Sequence, residues 1–123
     1  MQIRMTQQTR RVLFAARSLG HATNSQILLQ VRLQMPDLSA TTVHRITNRL
    51  IKAGLLTNGP ELNGSRIIDA NVKPHDHFIC EACNGIKDIH ISKHSREELQ
   101  RQVESLVVHS RLTITGDCKQ CVS

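Results

Sequence analysis

The sequence predicts an α+β chain in two parts. Three helices and a β-hairpin come first, then a small α/β module closed by four cysteines. Three observations predict it. Apolar residues recur at helical spacing in three segments before residue 54. Two short β-like runs follow, separated by the Asn/Gly-rich stretch NGPELNG. Beyond residue 75 the cysteines fall in two Cys-x2-Cys pairs, Cys80/Cys83 and Cys118/Cys121.

Thr6 to Leu19 reads as the first helix, with Val12, Leu13, Ala16 and Leu19 on one face and Gly20 as its stop. The second runs from Asn24 to Gln34, capped by Thr23 or Asn24, with Ile27, Leu28 and Val31 inward and Pro36 as its end. The third opens at a Ser39 cap, carries Val43, Ile46 and Leu50 inward, and closes at Gly54 in the left-handed conformation. Runs 55–57 and 66–70 make a hairpin with a polar tip longer than a two-residue turn. Helix, helix, helix and hairpin make a winged helix-turn-helix. The second part reads as strands near 77–81 and 86–91, a helix over 96–109 bearing Leu99, Val103, Leu106 and Val107, and a strand at 111–115. The boundaries expected are a winged-helix domain over 1–70, a hinge over 71–76 and a dimerisation and metal-binding domain over 77–123.

Composition limits what this chain can be. With 123 residues, no Trp, no Tyr and two Phe, the core must be aliphatic and thin for two domains. Such domains recruit a metal or a second subunit. A small sheet with one helix cannot cover both its faces alone, so a homodimer is expected. No secretory leader and no apolar run of membrane-spanning length is visible. The expectation is a cytoplasmic protein whose cysteines bind metal or do redox chemistry rather than pair as disulfides.

Charge is divided unevenly. Residues 1–74 carry ten Lys/Arg against three Asp/Glu, whereas residues 75–123 carry six against seven. A basic first half suits a polyanion, most simply nucleic acid, and equally suits a solvated basic surface. The third helix adds to this. Thr41, Arg45, Asn48 and Lys52 share its outward face, with Thr42, His44 and Arg49 at the flanks. Arg, Asn and Thr can read base edges in the major groove, and helix-turn-helix proteins place the start of such a helix there. Arg66 on the wing and Arg10 or Arg11 on the first helix could hold phosphates. An ordinary amphipathic helix is the competing reading.

Each Cys-x2-Cys pair can place two thiolates at tetrahedral bite distance, and two pairs close a four-cysteine zinc site. Such a site is structural, since it keeps no open position. A redox dithiol or unpaired thiols are the alternatives. His75 and His77, two apart in an extended segment, point to one face and can meet one ion, while Asp76 points away. Asp88 and His90 are same-face residues on the next strand, and Asp69 and His21 are further candidates. Nitrogen and oxygen ligands suit Fe(II), Mn(II) or Zn(II). As metal ligands, the lone residues His44, His94 and His109 read instead as surface histidines.

Taken together, LSATTVHRITNRLIKAGLL, HDHFICEACNGIKDI and GDCKQC resemble the ferric uptake regulator family of metal-dependent bacterial repressors, over nearly the whole chain. The resemblance implies a winged-helix DNA-binding domain, a hinge and a dimerisation domain. It implies structural zinc on Cys80, Cys83, Cys118 and Cys121, and a regulatory metal (iron, manganese or zinc) on His21, Asp69, His75, His77 and Asp88. His44 stands where the family usually has Tyr. Asp76 matches one ligand of a second His/Asp/Glu site, but Pro74 and Ser95 stand where others belong, so that site is expected to be absent and Asp76 to be its remnant. Asp at 69 and 88 is similar to the peroxide-sensing branch. The function implied is repression of metal-homeostasis or peroxide-stress genes by a homodimer on palindromic operators, with no small-molecule substrate. A zinc-stapled protein-interaction adaptor without DNA binding is the alternative. A metal-dependent hydrolase would need an open site and a positioned base, for which no motif is present.

Overall fold

The computed structural model describes residues 3–104 and 111–122. The chain divides into two compact units, Met1–Val72 and Lys73–Ser123.

In the first unit, helix α1 (Gln7–Leu19) is capped by Thr6, whose side chain accepts from the Thr9 amide. Gly20, with φ +77°, ends it and turns the chain into a two-residue strand, β1 (His21–Ala22). Helix α2 (Asn24–Arg32) opens with a reciprocal capping box between Thr23 and Gln26. The Arg32 guanidinium then bonds the Leu38 carbonyl and braces the turn into α3 (Ala40–Lys52), which Ser39 caps. Val12, Val31, Val43, Ile46, Leu50, Leu56 and Ile68 pack as one aliphatic cluster among these elements. Leu19 departs from expectation, being 41% exposed. It lies on the predicted face, but the chain turns away at Gly20 before the core reaches it.

Strands β2 (Thr57–Leu62) and β3 (Ser65–Asp69) form the wing, and the three-stranded sheet runs β1-β3-β2. The hairpin is tighter than the sequence suggested. Leu62 pairs with Ser65 across a two-residue turn at Asn63-Gly64, both with positive φ. The first Asn-Gly, at 58–59, lies inside β2, where the register shifts between Asn58 and Glu61. A winged helix-turn-helix results.

The second unit is a three-stranded sheet ordered β5-β4-β6, from β4 (Asp76–Cys80), β5 (Ile86–Ile89) and β6 (Thr113–Gly116). β5 is antiparallel and β6 parallel to β4. Helix α4 (Lys93–Val103) starts earlier than expected, because Ser92 caps it by accepting from the Ser95 amide. Leu99 is half-buried and Val103 is 63% exposed. Leu106, Val107 and His109 lie outside the described residues. A short helix, α5 (Lys119–Val122), was not foreseen. No described helix is long and apolar enough to cross a membrane.

Asp76, expected as the remnant of an absent site, is a buried structural hub, 1% exposed. Its carboxylate accepts from the Arg96 guanidinium at 2.6 Å and from the amides of Arg111 and Leu112 at 3.0 and 2.9 Å. Burial opposes its ionisation, but the Leu112 and Arg111 amides and the Arg96 charge hold its carboxyl below the usual range.

Candidate metal centres and nucleic-acid interface

Strand register builds the cysteine site. Parallel pairing sets Cys80 beside Gly116, so the chain leaves β6 next to the end of β4. Cys83 lies inside a turn closed by the Asn84 amide on the Cys80 carbonyl, and one turn of α5 separates Cys118 from Cys121. The sulfurs lie 3.7 Å (Cys80–Cys121), 4.0 Å (Cys83–Cys118) and 3.4 Å (Cys118–Cys121) apart. A tetrahedral site with metal–sulfur bonds near 2.3 Å has edges of about 3.8 Å, so the four sulfurs fit zinc. Gly85 leaves the room: a Cβ there would stand 3.3 Å from the Cys83 sulfur.

Electrostatics point the same way. The Cys118 and Cys83 amides donate to the Cys80 sulfur and lower its thiol to about 6. The neighbouring sulfurs of Cys118, Cys80 and Cys83 push Cys121 up to about 12. Four thiolates so close oppose each other's ionisation, and a divalent cation removes that opposition.

The same unit gathers His75, His77 and Asp88. Antiparallel pairing sets His77 opposite Asp88, and His75 lies two residues before His77. One Asp88 oxygen is 3.2 Å from His75 Nε2 and 3.5 Å from His77 Nε2. His75 Nδ1 donates to the Lys73 carbonyl at 2.6 Å, which leaves the Nε2 lone pair facing a carboxylate. A proton or a metal ion must sit between two such groups for them to attract. One ligand atom from each of the three lies within 4.8 Å of the others. His90 is exposed beyond the end of β5 and joins no such group among the described residues, and His94 is exposed.

In the first unit, β1 sets His21 opposite Asp69. His21 Nε2 lies 3.4 Å from an oxygen of the buried Asp69, whose other oxygen accepts from the Asn71 amide at 2.8 Å. A two-residue strand is too short to read from periodicity; the family resemblance alone set His21 and Asp69 in one site.

On α3, Thr41, His44, Arg45, Arg49 and Lys52 are exposed, as is Arg10 on α1. Arg45, Arg49 and Lys52 line a cavity of about 440 Å³ with Arg4 and Thr6. Arg4 was not foreseen, although a cation two residues before a helix cap was there to see. Thr42 accepts a hydrogen bond from Ser39 Oγ. Asn48 does not stand alone: Arg66 on the wing donates to its Oδ1 at 3.0 Å, tying wing to helix. His44 Nδ1 meets the Asn24 amide nitrogen at 3.0 Å.

Comparison with known proteins follows these observations. Residues 1–115 match the model of the ferric uptake regulator family. The peroxide-responsive repressor PerR of Staphylococcus saprophyticus is 30% identical over 97% of this chain and 82% of its own length. The peroxide operon regulator of Bacillus subtilis is 30% identical over 97% and 84%. Among solved structures, the Campylobacter jejuni peroxide stress regulator is 26% identical with a TM-score of 0.69, over 93% of this chain and 88% of its own. The Helicobacter pylori ferric uptake regulator, 22% identical over 98% and 83%, shares the fold with a TM-score of 0.80. Each of these names denotes a regulator, none an enzyme. The chain belongs to the ferric uptake regulator family of metal-responsive regulators.

Proposed function

We propose that this protein is a metal-dependent transcriptional repressor that binds palindromic DNA operators as a homodimer. The observation that carries the reading is the meeting of His75, His77 and Asp88 through strand register, one carboxylate oxygen within 3.5 Å of two imidazole nitrogens. These three would hold a regulatory Fe(II), Mn(II) or Zn(II) together with His21 and Asp69, a nitrogen and oxygen set that suits such ions. Zinc would sit on Cys80, Cys83, Cys118 and Cys121. Ligands drawn from both sides of residues 71–76 would fix the angle between the winged helix (1–70) and the dimerisation domain (77–123). That angle sets the spacing of two recognition helices on an operator.

Dimerisation has local support. Helix α4 buries none of its residues, β6 forms a sheet edge, and Val103 and Ile114 are exposed. The names of the relatives favour the peroxide-responsive branch. Bound ferrous iron would supply the chemistry by which peroxide oxidises a ligand histidine. Arg10, Arg45, Arg49, Lys52 and Arg66 supply positive charge, and Thr41, Thr42, His44 and Asn48 the polar contacts to DNA.

The test is DNA binding by metal-stripped protein titrated with Fe(II), Mn(II) and Zn(II), followed by peroxide and mass spectrometry. Metal-dependent binding with a steep salt slope is expected. A one-oxygen gain at His21 or His75 with iron alone marks the peroxide sensor, whereas tight zinc-dependent binding without that gain marks a zinc sensor. Binding indifferent to every metal would refute the reading.

A further inference from the structure

We propose that His44, Asn48 and Arg66 present three fixed donors to a hydrogen-bond-accepting edge of DNA, and that Asn24 fixes the His44 tautomer that makes His44 one of them. The edge is either guanine O6/N7 or a phosphate oxygen. The inference rests on the DNA-binding reading and names the chemistry that this surface selects.

The chain of hydrogen bonds starts from a buried hydroxyl. Thr47, fully buried, places its Oγ1 2.8 Å from Asn24 Oδ1 and donates to it, with the His44 carbonyl also in reach at 3.0 Å. The shorter contact gives the Thr47 proton to the Asn24 oxygen, and in that arrangement the Asn24 NH2 faces His44 Nδ1 at 3.0 Å. An amide NH2 only donates, so Nδ1 must accept. A neutral imidazole whose Nδ1 accepts carries its proton on Nε2. His44 therefore offers an N–H donor on its outer edge.

Its neighbours have the same polarity. Asn48 Oδ1 is engaged by Arg66, which leaves the Asn48 NH2 as the group for a ligand. Arg66 has donors only. A cavity of about 350 Å³ is lined by these three with Asn24 and the hydroxyls of Thr23, Ser25 and Ser65, which turn to donate or accept, so the three fixed donors set its preference. In the major groove guanine presents two acceptors, while adenine and cytosine each present an amino donor. Three fixed donors facing an amino group leave polar groups unpaired, so guanine is favoured over adenine and cytosine. Thymine, with a single O4 acceptor, ranks between. Phosphate oxygens satisfy the same donors without sequence preference.

The test uses the full-length, metal-loaded protein. Duplexes are first enriched from a random pool, then measured singly at several salt concentrations with wild type, His44→Ala and Asn48→Ala. If the edge is guanine, enriched half-sites share a guanine whose change to adenine weakens wild type about ten-fold or more. In either variant that penalty falls to about two-fold, with the salt slope on random duplex unchanged. If the edge is phosphate, one methylphosphonate linkage weakens wild type but not the variants, with no base preference relaxed. Identical base preference and identical methylphosphonate sensitivity in all three proteins would overturn the proposal. Nitrogen-15 NMR of His44 at pH 8 is the independent arm: an Nε2–H tautomer is expected, shifting to a mixture in Asn24→Ala, and an Nδ1–H tautomer in wild type overturns it. Failure to bind any duplex in a salt-dependent way would instead sink the DNA-binding reading, and this ligand with it.

Discussion

The two units are held together by different physics. The first has an aliphatic cluster running from Val12 to Ile68, packed by three helices on a short sheet. In the second, the described buried residues are Ile79 and Cys80 with the polar Asp76 and His77. Each of those apolar side chains contributes only about 1.5–3 kcal/mol. The second unit relies on directed interactions instead: four thiolates, a buried ion pair and strand pairing. The first unit has an aliphatic core of its own, whereas the described part of the second leans on polar and sulfur contacts.

The sharpest break of this contrast is zinc removal. Chelation, or Cys121→Ala, should unfold residues 73–123 while helices α1–α3 keep their amide protection, read by hydrogen exchange. Zinc-finger peptides draw roughly 10–16 kcal/mol of apparent free energy from such sites, so the loss should exceed any single core change. A stable, zinc-free dimer would refute the staple.

Next is Arg96→Ala, which leaves Asp76 buried without its cation and should cost about 3–5 kcal/mol. Because the Asp76 carboxyl is held below its ordinary value, its stabilisation is complete above about pH 4 and is lost as pH falls through the folded value. Acid unfolding of Asp76→Asn should lose that part of the pH dependence. The counterpart in the first unit is Leu50→Ala. It should cost about 2–5 kcal/mol and leave zinc content unchanged, as measured by calorimetry and metal analysis. Equal destabilisation of both units would break the division.

Two smaller effects sharpen it. His77→Ala should weaken metal-dependent operator binding at least about ten-fold, while the protein stays folded and zinc-loaded. Loss of zinc with it would merge the two sites. Thr23→Ala, which removes half of a capping box, should lower melting stability by only about 1 kcal/mol and leave metal binding untouched.

Much of this was legible in the sequence because it is local. Caps at Thr6, Thr23 and Ser39, the apolar faces of α1 to α3 and the left-handed Gly54 all follow from neighbours along the chain. The cysteine pairs were legible because a thiolate bite is set by a few residues. Less was legible where two distant segments had to find each other. Strand β1 is too short to read, two Asn-Gly pairs compete for one turn and lengthen the expected hairpin, and nothing along the chain names Arg96 and the amides of Arg111 and Leu112 as partners of Asp76.

By itself the sequence determined the inventory: which helices form, which residue types can bind metal, and which half is basic. Only the tertiary structure decided how those residues meet, and it did so through strand register. Pairing of β1 with β3 joins His21 to Asp69, β4 with β5 joins His77 to Asp88, and β4 with β6 brings Cys118 and Cys121 to Cys80. A register slip of one residue turns every side chain to the other face. The same residues in a neighbouring register would hold no site at all.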